Sequence, residues 1–150
     1  MNFLIVTGLS GAGKSMAVNA LEDIGFFCID NIPAGLLPRI LDFAQQGENQ
    51  LSRVAVVMDI RGLHSVQETN EALEALDEKK MPYDILFLDA SDAAIRRRYK
   101  ETRRVHPMTI SEGIPVSEAI TKERQILQPL RERAKYVICL LYTSDAADEL

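Results

Sequence analysis

Long apolar runs are missing from this chain. No stretch approaches the roughly 18 residues that a membrane span requires, and no basic region stands ahead of an apolar core at the N-terminus. A spanning helix and a secretory signal are thereby excluded, and the chain is expected to be soluble, untargeted and complete at its front end, where Met1 stands almost directly on the first apolar run. Positive charge is also in deficit: 17 Lys and Arg stand against 22 Asp and Glu, a net −5. That balance excludes a surface that grips nucleic acid over its whole extent and leaves room only for a local basic patch. Cysteine is scarce. Cys28 and Cys139 fall in apolar stretches without the partner spacing of a metal site, so both are expected as buried thiols in a reducing compartment, and the cytoplasm follows. Low complexity is absent until the last ten residues, and 150 residues at 47% hydrophobic suit one packed domain.

What is present begins at once. An apolar strand, Phe3 to Val6, runs through Thr7 into the pattern G-x-x-x-x-G-K-[ST] at Gly8, Gly13, Lys14 and Ser15. A tight loop between a buried strand and a helix aims several backbone N–H groups at one point, and the helix N-terminus adds partial positive charge there, so polyphosphate binds. Glycine at positions 8, 11 and 13 removes the Cβ atoms that would block the loop's dihedrals or the approach of phosphate oxygens. Lys14 is the candidate catalytic group, reaching the β- and γ-phosphates, and the Ser15 hydroxyl is the candidate Mg²⁺ ligand. Ala17, Val18 and Leu21 follow at helical spacing, with Gly25 as the stop.

The remainder alternates. Short apolar strands are expected at Phe26 to Ile29, Val54 to Met58, Ile85 to Leu88 and Tyr136 to Cys139. Helices are expected at about Leu36 to Gln46, Val66 to Lys79, Asp92 to Arg104 and Ser117 to Ala134, the last kinked or cut short by Pro129, while Val105 to Pro115 reads as loop. Strands apolar on both faces between amphipathic helices imply an α/β, P-loop NTPase fold: a mostly parallel sheet with helices on both faces. Thr7, Asp30, Asp59 and Asp89 stand at the C-terminal strand ends, the edge at which open α/β sheets bind ligands.

Mg²⁺ at such a loop needs a carboxylate at a neighbouring strand end. Asp59 and Asp89 both satisfy that, and both equally suit an aspartate that caps the next loop or helix. Asp30, sixteen residues beyond Lys14, stands where small P-loop kinases place the group that orients an acceptor hydroxyl, and it also suits a plain turn before Pro33. Arg96 and Arg97 lie one double turn before Arg103 and Arg104, so Arg96, Arg103 and Arg104 are candidates for a clamp on phosphate, or form a solvated helix face. His106 and His64 read as ordinary polar residues.

Three segments in fixed order, Gly8 to Ser15, Asp30-Asn31-Ile32-Pro33 and Tyr99 to Pro107, resemble the bacterial RapZ/YvcJ nucleotide-binding proteins over roughly residues 1 to 138. The resemblance implies a cytoplasmic P-loop protein that binds ATP and GTP with Mg²⁺ and hydrolyses them slowly. It assigns ATP to Gly8, Leu9, Ser10, Gly11, Ala12, Gly13, Lys14 and Ser15, and GTP to Asp59, Ile60, Arg61 and Gly62, the family's usual valine being isoleucine at position 60. Some members act as RNase adapters that bind a small regulatory RNA, through a C-terminal domain that this chain lacks. Residues 1 to 138 are therefore expected as the nucleotide-binding domain, and 139 to 150 as the last strand residue and a non-native tail. The rival reading is a small-molecule or nucleotide kinase with Asp30 as its acceptor-orienting base.

Overall fold

The structure is a computed structural model that describes residues 2–45, 53–60, 62–63, 65–80, 82–102 and 105–140. Its strands are β1 (Asn2–Gly8), β2 (Phe27–Ile29), β3 (Arg53–Val57), β4 (Asp84–Ala90) and β5 (Tyr136–Leu140). Its helices are α1 (Lys14–Asp23), α2 (Leu37–Gln45), α3 (Val66–Glu78), α4 (Asp92–Thr102), α5 (Pro107–Glu112) and α6 (Val116–Arg133), with a 3₁₀ turn at Ala34–Leu36. The strands form one sheet in the order β2-β3-β1-β4-β5, and every described pairing is parallel. A parallel partner cannot be reached by a hairpin, which is why a helical crossover stands between each strand and the next.

The central place of β1 follows from its composition. Phe3, Leu4, Ile5 and Val6 are all buried, and a strand with apolar side chains on both pleats is stable only with neighbours on both edges and cover on both faces. Ile5 pairs with Val56 of β3 on one side and with Ile85 of β4 on the other. Helix α1 packs against β1, β2 and β3, while α3 packs on α2 and α6 and α6 reaches β1 and β4. The register then fixes the mouth of the sheet: Val6 stands opposite Val57, and Gly8 opposite Leu88. The loop after β1 thus opens between the ends of β3 and β4, where the chain crosses from one side of β1 to the other, and that switch point is the crevice of an open α/β sheet.

Four expectations are corrected. Val105 to Pro115 is not all loop, because Pro107 at the first helical position, His106 as N-cap and Gly113 at φ 69° as C-cap bound the short helix α5. Of the two outcomes expected at Pro129, the early end is set aside, since α6 runs on to Arg133, close to the expected Ala134; Leu127 and Leu130 are buried on either side of Pro129, and that burial outweighs one missing backbone bond. Among the described residues cover of the sheet stops short of its β5 edge, where Tyr136, Val137 and Ile138 are exposed. Accordingly Cys139 is exposed and Cys28 only partly buried. The tail expected beyond Leu140 lies outside the described residues.

Candidate functional site

The loop from Gly8 to Ser15 is held from below and open above. Leu9 N donates to Leu88 O (3.1 Å) and Ala12 N to Leu9 O (3.0 Å), and the Leu9 and Ala12 side chains are buried, so these two positions root the loop in the core. Gly8 has φ 150°, and a Cβ there would lie 2.2 Å from Leu88 O, so only glycine lets β1 pass β4 at this point. Gly13, at φ 96°, makes the left-handed turn directly ahead of α1. Lys14 Nζ donates to Gly8 O (2.9 Å) and Leu9 O (3.1 Å), arching back over the loop that it follows.

Above the loop lies a pocket of about 600 Å³ lined by Ser10, Gly11, Gly13, Lys14, Ser15, Asp59, Arg98, Tyr99, Val105 and Pro107. Asp59 arrives there because β3 stays in step with β1 past its last residue: Met58 N still donates to Val6 O (2.9 Å), which leaves the next side chain at the sheet's mouth. Helix α4 forms the facing wall. Ile95 and Tyr99, four apart, share a face directed at the loop, and the Tyr99 ring would stand 3.7 Å from a Cβ at Gly11. The pocket therefore joins a lysine, two serines and a tyrosine, one carboxylate, one guanidinium and the start of a ten-residue helix, a set suited to a polyanion with a divalent cation.

Not every candidate is there. Of Asp59 to Gly62, Asp59 lines the pocket, Ile60 is buried in the core, and Gly62 donates its N–H to Asp59 O (3.0 Å), closing a tight turn. A Cβ on Gly62 would meet Ile32 O at 2.8 Å, so this glycine lets the turn pack on the Asp30 to Pro33 segment. Arg61, His64, Arg103 and Arg104 lie outside the described residues. Arg96 is exposed and does not line the pocket; Arg98 does, because two residues turn a helix by about 200°. Asp30 is exposed, accepts from Asn31 N (2.6 Å), and is likewise not among the lining residues.

Asp89 is committed elsewhere. Its oxygens accept from Ala90 N (2.7 Å), Arg124 Nη1 (3.0 Å) and Arg131 Nε (3.0 Å), and Arg124 also holds Asp92 at 2.6 Å. Burial pushes the Asp89 carboxyl up, but the Ala90 amide and the Arg131 and Arg124 guanidiniums outweigh it and hold the carboxyl below its usual range. With both oxygens engaged in pinning α6 to β4, Asp89 is not placed to hold a metal, and Asp59 is the carboxylate of the pocket.

Sequence reasoning missed one buried group. Glu123 of α6 is completely buried and accepts from Ser10 N (3.0 Å) and Ser10 Oγ (2.6 Å). His106, also completely buried rather than an ordinary loop residue, stands 3.0 Å from the same carboxylate. A signal existed: Glu123 falls on the apolar stripe formed by Ala119, Ile120, Ile126, Leu127 and Leu130, where an acid without a partner would be costly.

Among solved structures, a shikimate kinase from Acinetobacter baumannii in complex with shikimate superposes with a TM-score of 0.56 at 18% identity, over 99% of this chain and 90% of that one. A second shikimate kinase, from Bacteroides thetaiotaomicron, gives 0.51 at 16% over 91% and 85%. At such identities the likeness is one of fold, and it places this sheet and loop in the α/β P-loop NTPase fold. A protein named nucleotide-binding protein from Moorella thermoacetica is 50% identical over 139 residues, 90% of this chain and 46% of its own length. Another of that name, from Agathobacter rectalis, is 47% identical over 138 residues, covering 92% and 47%. The chain thus spans about half the length of the curated relatives it matches. The family model for the RapZ-like N-terminal domain matches residues 1–148, and with half-identical relatives over nine-tenths of its length, the chain belongs to that family.

Proposed function

We propose that this domain binds ATP and GTP at the loop from Gly8 to Ser15 and hydrolyses them slowly, as the nucleotide-responsive half of a regulatory protein. The observation that carries the reading is the convergence of Lys14, Ser15, Asp59 and Arg98 on one pocket above a glycine-shaped loop. Leu9 N is taken by Leu88 O of β4, Ala12 N by Leu9 O and Ser10 N by Glu123, so the amides of Gly11, Gly13 and Ser15 at the head of α1 are the ones that would receive the phosphates. On binding, Lys14 would exchange two carbonyl oxygens for phosphate oxygens, a stronger, charge-assisted pairing. Arg98 approaches from α4 and would balance charge on the terminal phosphate.

Ser15 and Asp59 would hold Mg²⁺, since both offer hard oxygen donors to the same pocket. Among the described residues no group of three or more His, Cys, Asp or Glu lies together, which suits an ion that draws its remaining ligands from phosphate and water. When bound, Mg²⁺ supplies neutralisation of charge on the β- and γ-oxygens. Asp59 is the one carboxylate among the described lining residues, so a group to orient the attacking water is wanting, and turnover is expected to be slow. A regulatory RNA or RNase would engage the portion of the longer proteins outside this chain. The kinase alternative gains nothing from Asp30, which stands on an exposed turn.

Lys14→Ala tests the reading. In calorimetric titration with MgATP and MgGTP the parent chain is expected to bind both, and the variant to bind roughly 10- to 100-fold more weakly, the equivalent of about 1.5–3 kcal/mol for hydrogen bonds to a charged group. Equal affinity in parent and variant would overturn it.

A further inference from the structure

Glu123 brings two parts of the pocket together from beneath. Its oxygens take the Ser10 backbone N–H at 3.0 Å, the Ser10 hydroxyl at 2.6 Å and His106 Nε2 at 3.0 Å. The histidine's other nitrogen, Nδ1, accepts from Met108 N (3.0 Å), so the ring proton belongs on Nε2 and is donated to Glu123. That same Nδ1 contact is the N-cap of α5. On its other side His106 meets Tyr99, ring centroids 5.8 Å apart at 54°. One carboxylate therefore links the limb of the phosphate loop at Ser10 to the wall that carries Tyr99, Val105 and Pro107.

We infer that Glu123 is a positioning residue for nucleotide, which sets the Ser10 limb of the loop and, through His106, the distance between loop and wall. The inference rests on the nucleotide reading above. Several observations favour this over mere filling of the core. A buried carboxylate beneath an anion site opposes the ligand by its charge, so its presence there is explained by geometry that it imposes and not by attraction. Its three donors come from two segments separated by most of the chain, and Ser10 lies 113 residues away in sequence. Both segments contribute lining residues to the pocket. Ser10 N, held by Glu123, lies directly before Gly11, which itself lines the pocket.

Glu123→Met keeps roughly the volume and removes both acceptors, so the Ser10 N–H and the His106 Nε2–H lose their partner together. The test uses the 150-residue chain, at a temperature where circular dichroism shows parent and variant fully folded. MgATP affinity is then measured by calorimetry. A loss of at least about tenfold is expected for the folded variant, in keeping with buried donors left unsatisfied. His106→Asn, which retains an acceptor for Met108 N but cannot reach Glu123, keeps the question open to test if Glu123→Met does not fold. It should lower affinity while the Ser10 N bond persists. Undiminished affinity in a folded variant, with only the melting temperature lowered, would reduce Glu123 to a structural role and overturn the inference. Failure of the parent itself to bind would overturn the nucleotide reading, and the inference with it.

Discussion

Thr7 is the last side chain of β1 before the phosphate loop, and it is completely buried with no hydrogen-bond partner for Oγ1 among the described residues. A hydroxyl withdrawn from water without compensation costs about 1–3 kcal/mol, so Thr7→Val, which keeps the branched shape, should leave the melting temperature unchanged or raise it. Scanning calorimetry would read the gain as about 2–4 °C per kcal/mol at this chain length; a fall of several degrees would contradict it. At this scale the sequence was legible where chemistry is contiguous. Gly8, Gly13, Lys14 and Ser15 lie within eight residues of each other, and the loop they form needs only the strand before and the helix after. Arg98 was obscured by its neighbours, since Arg96, Arg97 and Arg98 are alike on paper and only the pitch of α4, set by the buried Ile95, decides which faces the loop. Glu123 was obscured by distance, because nothing near it in sequence announces Ser10 or His106.

Helix α6 is the element on which the site leans. Arg124 and Arg131, seven apart and so nearly on one face, both reach Asp89 at the end of β4, and Glu123, the residue just before Arg124, reaches the loop. Position 123 is thus fixed by the ion pairs beside it as well as by the buried Ile120, Leu127 and Leu130. Because the Asp89 carboxyl is held below its usual range in the folded chain, its contribution to stability is complete above the unfolded-state value near 4 and is lost as pH falls through the lower, folded value. Asp89→Asn is therefore expected to destabilise the chain at pH 7, by about 1–3 kcal/mol for lost hydrogen bonds to charge. The gap between parent and variant should narrow in urea melts as pH is lowered below about 4. A gap that stayed constant across that range would show that the pairing contributes nothing. The apolar stripe of α6 and its span to about Ala134 were readable in the sequence, but of the two outcomes left open at Pro129 the sequence could not set aside an early end. A proline's local penalty is a property of the residue, whereas the burial that offsets it belongs to the whole helix.

At the scale of the molecule, the alternation of strand and helix announced a parallel sheet, and the strand ends at Asp59 and Asp89 announced which edge binds. The spatial order of the strands was not readable, and that order separates the two aspartates: β3 brings Asp59 to the open mouth, while β4, with β5 and α6 beside it, directs Asp89 to arginines. Nor did alternation reveal that Tyr136, Val137 and Ile138 of β5 are exposed, since in sequence they look like any covered strand. The loop, by contrast, is the junction of the largest buried elements, β1, β3 and β4, with α1 and α4. A ligand there would touch residues from separate stretches, the loop at Ser10 to Ser15, Asp59, and Arg98, Tyr99, Val105 and Pro107, and none of them keeps its place once the sheet opens. Unfolded chain should bind triphosphate negligibly, so ligand must stabilise the whole domain by mass action, about 2.7 kcal/mol at a hundredfold excess over Kd. That corresponds to a rise in Tm of roughly 5–11 °C with MgATP or MgGTP. AMP, which lacks the β- and γ-phosphates that Lys14 and the amides receive, should give little shift, and Lys14→Ala should remove most of the MgATP shift while melting near the parent in its absence. Equal shifts with AMP and MgATP would place the ligand elsewhere, on the nucleoside and not on the loop.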